Sequence, residues 1–408
     1  MIKFIKRMFS KSDPVLIDTP QKLADMLGAG YEASSGILVS HGAAQRFSTV
    51  AACMRVIYET VGALPLTLKE VSDDGISKAD AVKHPLYRIL KINPNEFMTA
   101  AEFKELMAGH LASCGNFYAY KNIVRGELRE LLPLTPASVT PKLDDNWTVT
   151  YQVTFANGKT ATLTQAEIFH VRLRTRDGLT GISPIAQARD AIGLGMAAEL
   201  EGARMYKQGV KLSGVLSTDG ALSDEAYARI KTSWADTYSG AGNAYKAAIL
   251  EAGLKFTPNA MTATDAQWIE ARKYQRSEIA GIWRVPPHKI GDLEHATFSN
   301  IEHQSQEFIT DCLMPYLVKI EERVNLSLLS PKDQAKYFAK FNVNALLRGD
   351  MTARGNFYQK LLQAGAISPN EIRDFEDWNP RDGGDIYLTP MNMAINAKEG
   401  DANAKETA

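Results

Sequence analysis

The stretch RVPPHKIGDLEHATFSNIEHQ, from Arg284 to Gln304, concentrates the side chains best able to do chemistry. His288, His295 and His303 fall within it, beside Asp292, Glu294 and Glu302. Imidazoles and carboxylates gathered this way are the donor set of a zinc or iron centre, or of an acid–base pair. A metal needs ligands converging at about 2 Å, usually from fixed helix or strand positions. No spacing here enforces that convergence. His288 follows two prolines and belongs in a turn, His295 in a loop, and His303 on the next helix. Two readings stand: a metal-dependent enzyme using His288, Asp292 and His295, or a loop joining two helices with solvated polar residues.

The remaining chemistry is sparse. Cys53, Cys114 and Cys312 lie far apart with no CxxC pair, so they read as small buried hydrophobes in a reducing compartment. There is no GxxxxGK[ST] phosphate loop, GxSxG elbow, HExxH or kinase signature. GAGNAY from Gly240 puts Tyr245 where a dinucleotide loop needs its third glycine. The RGD at Arg348 to Asp350 is expected to end a strand and cap a helix. With 46 basic and 47 acidic residues the net charge is −1, against the basic excess of a protein that grips many phosphates. MIKFIKRMF lacks a long apolar stretch and a small-residue cleavage site, so no secretory signal is expected. No run of about 18 apolar residues predicts a membrane helix.

At 408 residues the chain is long enough for two or more structural units. Residues 1–42 read as an extended arm with a short helix near Gln21 to Leu27. Ser48 is expected to cap a helix burying Val50, Cys53, Met54, Ile57 and Val61, followed by the strand PLTLKEV. Thr99 and Glu102 form a capping box for a second helix. A β-rich block follows: strands GNFYAYKNIV and ELRELLPL around Arg125-Gly126, then the hairpin WTVTYQVTFANGKTATL with a type I′ turn at Asn157-Gly158. Ser183 and Pro184 open a helix reaching about Gln208, with Ala191, Gly195, Ala198 and Gly202 in a stripe at steps of four, three and four. Each interior glycine costs up to about 1 kcal/mol, so this face is expected to lie very close to a neighbour.

A compact, charge-balanced α/β insert runs from Val210 to Met261: strand SGVLST, a helix capped by Ser223, and a strand pair in AAILEAGLKFTP. Another helix begins at Thr264, with Arg272, Lys273 and Arg276 on one side of it. After the histidine-rich stretch, Ser299 is expected to cap a long helix kinked at Pro315. Strand KYFAKFNVNALL and helices between Thr352 and Trp378 follow, then a polar tail read as disordered.

Ordered segments across Val50 to Pro390 resemble the portal proteins of tailed double-stranded DNA bacteriophages, in the Hong Kong 97-type family. They include VAACMRVIYETVGALPL, HPLYRILKINPNEFMTAAEF, GNFYAY, LLPLTPASV, FHVR with DGLTGISPI, RSEIAGIWRVPPHKIGD, FSNIEHQSQEF, LLRGDMTARGNFY and NEIRDFEDWNPRDGGD. The resemblance implies an α+β portal fold assembling as a ring, usually of twelve copies. It implies a flexible arm (1–42), a wing (43–182 and 299–348), stem helices (183–209 and 262–284), a clip (210–261), a tunnel loop (285–298), a crown (349–390) and a disordered tail (391–408). His288, Lys289, Glu294 and His295 would then be tips of a tunnel loop beside DNA. Arg272, Lys273 and Arg276 would either influence the lumen or make ion pairs between copies. Ala191, Gly195, Ala198 and Gly202 would let stem helices approach closely. The implied partners are other copies of the chain, the terminase large subunit, a head–tail adaptor, the major capsid protein or scaffold, and double-stranded DNA passing non-specifically. No cofactor, metal, membrane or catalysis is implied. The implied place is the portal vertex of a virion, assembled in a bacterial cytoplasm.

Overall fold

The computed structural model describes residues 31–72, 75, 77–155, 157–207, 214–218, 220, 223–238, 255–258, 263–293, 304–343, 351–376 and 378–388. The chain divides into two compact units, Met1–Phe341 and Asn342–Ala408.

In the first unit, β1 (Tyr31–Glu32) and β2 (Leu38–Val39) form a small hairpin. α1 (His41–Arg46) is capped by the Ser40 hydroxyl, which accepts the Ala43 N–H at 3.0 Å. α2 (Ser48–Ala63) buries Val50, Cys53, Met54, Ile57 and Val61, the face expected from their spacing. Ser48 is not its cap. α1 runs almost directly into α2, so Phe47 stands at the N-cap position and its carbonyl accepts the Ala51 N–H at 2.9 Å. β3 (Leu66–Val71), β4 (Lys78–Asp80) and α3 (Pro85–Lys91) follow. α4 (Ala100–Cys114) has the expected Thr99–Glu102 capping box and ends at Gly115, with φ 72°.

β5 (Asn116–Val124) and β6 (Glu127–Leu134) pair through Arg125 (φ 55°) and Gly126 (φ 83°). Two positive φ values are what a type I′ turn requires. The Asn157-Gly158 turn is different. β7 (Val139–Leu143), β8 (Val149–Thr154) and β9 (Thr160–Thr164) form a meander. Between β8 and β9, Phe155 N–H donates to the Lys159 carbonyl and Gly158 N–H to the Phe155 carbonyl, both at 2.8 Å. Among the described residues of this turn, Gly158 alone has a positive φ, 75°. The connection is therefore one residue longer than the two-residue turn expected, a form that needs a single left-handed position. Trp147 also departs from its expected strand. The Asp144 carboxylate takes the N–H groups of Asn146 and Thr148, which turns the chain and leaves Trp147 at φ 60° and 83% exposed. β10 (Ile168–Arg172) joins β5, giving the sheet order β10-β5-β6. Tyr118, Val139, Tyr151, Val153 and Ile168 form a core between these strands and β8.

The long helix expected from Pro184 is two segments, α5 (Pro184–Gln187) and α6 (Arg189–Lys207), meeting at Ala188 (φ −98°, ψ 14°). The Ser183 hydroxyl caps α5 as expected. Its expected end at Gln208 and Gly209 lies outside the described residues. β11 (Gly214–Ser217), α7 (Asp224–Tyr238) and β12 (Lys255–Pro258) come next, with β11 and β12 antiparallel and Ser223 capping α7. The expected partner strand AAIL lies outside the described residues. α8 (Ala263–Ile282) follows.

The kink expected at Pro315 takes the form of a π-helical turn, Phe308–Leu313, leading into α9 (Met314–Leu328). Met314 N–H reaches back five residues to the Ile309 carbonyl. Proline has no N–H for the carbonyl of Asp311, and the Arg284 guanidinium donates there instead, at 3.3 Å. Ser299, the expected cap, lies outside the described residues. β13 (Tyr337–Phe341) pairs with β3 from Phe341↔Leu66 to Tyr337↔Glu70, completing the sheet β13-β3-β4. The RGD tripeptide lies outside the described residues.

In the second unit, α10 (Met351–Gln363) and α11 (Pro369–Phe375) are joined through Gly365 at φ 66°. Glu376 accepts from Tyr358 Oη at 2.7 Å and pairs with Arg354 at 3.2 Å. Buried Asn370 donates to the Arg381 carbonyl and to Asp385.

Candidate functional site

The candidate site is built on the end of α8 and the turn beyond it. Trp283 and Val285 are both buried, and Trp283 Nε1 donates to the Ala112 carbonyl at 2.9 Å. To bury both, the chain must reverse at Arg284, which takes φ 55° while Val285 N–H returns to the Ala280 carbonyl. Pro286 and Pro287 then start a tight 3₁₀ turn, Pro287–Ile290, ended by Gly291 at φ 77°. Arg276 of α8 donates to the Ile290 carbonyl, fastening the turn to the helix.

On this turn His288 is half-buried and Lys289 exposed, and both contact the segment that follows. His288 Nδ1 donates to Gln304 Oε1 at 2.7 Å, while its Nε2 is enclosed without a partner among the described residues. Lys289 Nζ lies 5.7 Å above the Phe308 ring, a cation–π contact with the π-helical turn. Asp292 is half-buried and has a partner. Glu294, His295, Glu302 and His303 lie outside the described residues. Among the described residues no three His, Cys, Asp or Glu side chains gather as a metal would need.

The three bases of α8 do not act as one patch. Arg276 serves the turn. Lys273 makes an exposed 3.7 Å pair with Glu270, a kind of contact that contributes little. Arg272 is half-buried and partnered.

The small-residue stripe meets neighbours from its own chain. The Ala191 carbonyl accepts Gln275 Nε2 of α8 at 3.3 Å. A Cβ on Gly195 would come within 2.7 Å of the Phe47 ring and 3.3 Å of Gln275. Ala198 is half-buried and Gly202 buried. The tightest approach falls outside the stripe, at Gly193, whose Cβ would sit 2.3 Å from that of Ala33. Asp190 holds the same hairpin through Ser34 N–H and Oγ, both at 2.9 Å.

A buried polar set escaped the sequence reading. Asn116 accepts the Gly181 N–H at 2.7 Å and His170 Nε2–H at 3.1 Å, and its Nδ2 donates to the Gly181 carbonyl at 2.8 Å. His170 Nδ1 then accepts from Tyr151 Oη at 3.2 Å. Burial first, then the charges of Arg172 and Arg323, hold His170 down to about 3, so it stays neutral. Gly115 and Gly181 cross backbone to backbone: a Cβ on Gly181 would lie 2.0 Å from the Gly115 carbonyl oxygen. This crossing anchors the start of α5. The visible signal was the histidine inside the otherwise apolar run IFHV.

Little here is poised for covalent chemistry. Burial pushes the Cys53 and Cys312 thiols up to about 12, which suppresses the reactive thiolate. The Ser183 hydroxyl is occupied, donating to the Ser113 carbonyl at 2.7 Å and capping α5. No helix of the described residues is long and apolar enough to cross a membrane.

Comparison with known proteins gives a consistent result. The sequence model of the family described as Phage portal protein matches residues 48–377. The portal protein of Enterobacteria phage HK97 is 33% identical over 351 residues, covering 84% of this chain and 81% of its own. The probable portal protein of Streptomyces phage phiC31 is 34% identical over 235 residues, 56% and 51% of the two chains. Among solved structures, a chain in the neck of a native gene transfer agent particle, computed with C12 symmetry, superposes with TM-score 0.59 at 21% identity. That match covers 93% of this chain and 99% of the other, and it speaks for the fold. None of these relatives supports the metal-dependent alternative.

Proposed function

The chain belongs to the phage portal protein family, and from that premise we propose that it forms a ring at one vertex of a phage-like capsid. The ring is a channel for genome packaging and ejection, a structural part and not an enzyme. What carries this reading is the length of the family match, which extends from α2 to just past α11. The C12 neck that shares the fold supports a dodecamer.

Within this reading, α5–α6 and α8 are the stem, and residues 210–261 the clip that docks the terminase motor and later the head–tail adaptor. Residues 43–182 and 299–348 form the wing, and 349–390 the crown. The capsid protein or scaffold surrounds the ring. The 285–298 segment is the tunnel loop. His288 and Lys289 brace its base against Gln304 and Phe308. A net charge of −1 suits a channel through which DNA slides, because each added phosphate contact would strengthen retention.

Negative-stain microscopy and native mass measurement test the proposal. Particles with a central hole, and a mass near a dozen 44.9 kDa chains, are expected. A monomer or dimer carrying stoichiometric zinc would sink it. Replacing His288 and His295 by alanine is expected to leave the particles intact.

A further inference from the structure

One basic surface of the first unit is left without a counterpart. Alternation along β10 puts Ile168, His170 and Arg172 on one face. That face meets β8, with Ile168 in the apolar core beside Val153 and His170 hydrogen-bonded to Tyr151. It therefore grades from apolar, through the Tyr151–His170–Asn116 set, to cationic at Arg172. Lys121 of β5 donates to the Ser327 carbonyl near the C-terminus of α9, at 3.2 Å. Lys121 lies beside the start of β10 and Asn116 beside Arg172, so one turn back along α9 brings Arg323 towards the Arg172 end. Both charges act on Tyr151 and His170.

Arg172 and Arg323 are half-buried, and the chain continues past β10 with Arg174 and Arg176 exposed. Arg172 donates to the Leu179 carbonyl at 3.1 Å. Among the described residues, the side chains of Arg174, Arg176 and Arg323 make no hydrogen bond or ion pair. The neighbouring acid, Asp177, is engaged by the N–H groups of Leu179 and Thr180. Burial, then the charge of Arg172, hold Arg323 below the ordinary arginine value. The adjacent Glu322 offsets this only in part, and partly dehydrated like charges with no carboxylate bonded to Arg323 are a cost to the isolated chain.

We propose that Arg172 and Arg323, with Arg174 and Arg176 at the rim, receive a carboxylate from a second copy of this chain. The inference rests on the ring reading above and adds which surface joins the copies. A head-to-tail ring joins two different patches of one chain. With 46 basic and 47 acidic residues, a basic patch has its complement elsewhere on the same molecule. Exposed acids without a partner among the described residues include Glu96, Asp145 and Glu199. The planar guanidinium fork takes a carboxylate by two parallel hydrogen bonds. A single side chain reaches a half-buried guanidinium, whereas the rigid rod of a duplex meets only the rim.

The test compares the full chain with Arg323→Met, which keeps the stem of the side chain and removes its charge. Ring yield by native mass is expected to fall at least about tenfold. The melting temperature of the unassembled chain should stay level or rise, because an unpaired, half-buried charge has gone. In an Arg323→Glu background, lysine at Glu96, Asp145 or Glu199 should restore rings at the position that supplies the carboxylate. Wild-type rings with undiminished Arg323→Met rings would overturn the inference while leaving the portal reading intact. So would a lowered melting temperature, which makes Arg323 a fold residue. Unchanged rings with weakened binding to a duplex oligonucleotide would make the site a nucleic-acid contact instead. Wild-type chains that form no ring would remove the portal reading itself.

Discussion

Buried ionisable side chains make the stability of the first unit depend on pH, although its surface charges nearly cancel. Burial lowers His110 to about 4 and His170 to about 3, both below the ordinary 6.5 of an unfolded histidine. Between pH 6.5 and about 4 the unfolded chain therefore binds more protons than the folded one. Stability is full above pH 6.5 and is lost as pH falls, at about 1.4 kcal/mol per unit per histidine. Urea midpoints measured from pH 7 to 4 should decline, and His170→Gln should flatten the decline. Lys104 and Lys121 are lowered by burial to about 8, so stability should rise again between about pH 8 and 10.5 as the unfolded lysines stay charged. The glycine crossing gives a sharper residue test. Gly181→Ala sets a Cβ 2.0 Å from a backbone oxygen that cannot move freely. A loss of about 3 kcal/mol or failure to fold is expected, as for severe overpacking. Gly281→Ala, in α8 with open space around it, should gain up to about 1 kcal/mol in thermal unfolding.

At the scale of elements, the turn after α8 and the π-helical turn before α9 are one device. Arg284, held in a left-handed conformation, donates to the Asp311 carbonyl that Pro315 leaves unpaired. Arg284→Ala should cost about 0.5–1 kcal/mol, because the contact is exposed and water can take the place of the guanidinium at the carbonyl. Pro315→Ala returns an N–H to that carbonyl, so Arg284→Ala should cost far less in its background. A double-mutant cycle in urea measures this coupling, and additive costs would show that the two features are independent. The α6–α8 contact behaves differently. Gly195→Ala presses on Phe47 and Gln275 and should lose about 1–3 kcal/mol, since both neighbours are packed from other sides.

For the whole molecule, near-neutrality predicts weak, salt-insensitive contact with DNA. Binding of a non-specific duplex should show a slope of log affinity against log salt smaller than about 2, well short of a protein neutralising six or more phosphates. A steep slope would place concentrated positive charge in the channel and contradict the sliding passage proposed for it. Chelators should leave particle mass unchanged.

Helix α2, the Thr99 capping box, the β5–β6 hairpin and the apolar alternation of β8 were legible in the sequence, because each depends on period, caps or turns within one element. The histidine-rich stretch was legible as a place but not as a site. The direction of His288 and Lys289 depends on Gln304 and Phe308, fifteen or more residues downstream. Local chemistry also misled at Ser48 and at Asn157-Gly158, where the preceding helix and the spacing of strand partners decided the cap and the turn. The sequence by itself determined which segments coil or pair, the balance of charge, and the family resemblance of the ordered series. Only the tertiary structure decided that Gly193 and Gly195 meet their own chain, that Gly115 crosses Gly181, and that Arg172 and Arg323 act on the same tyrosine and histidine. Those outcomes depend on contacts between residues far apart along the chain, which no local period records.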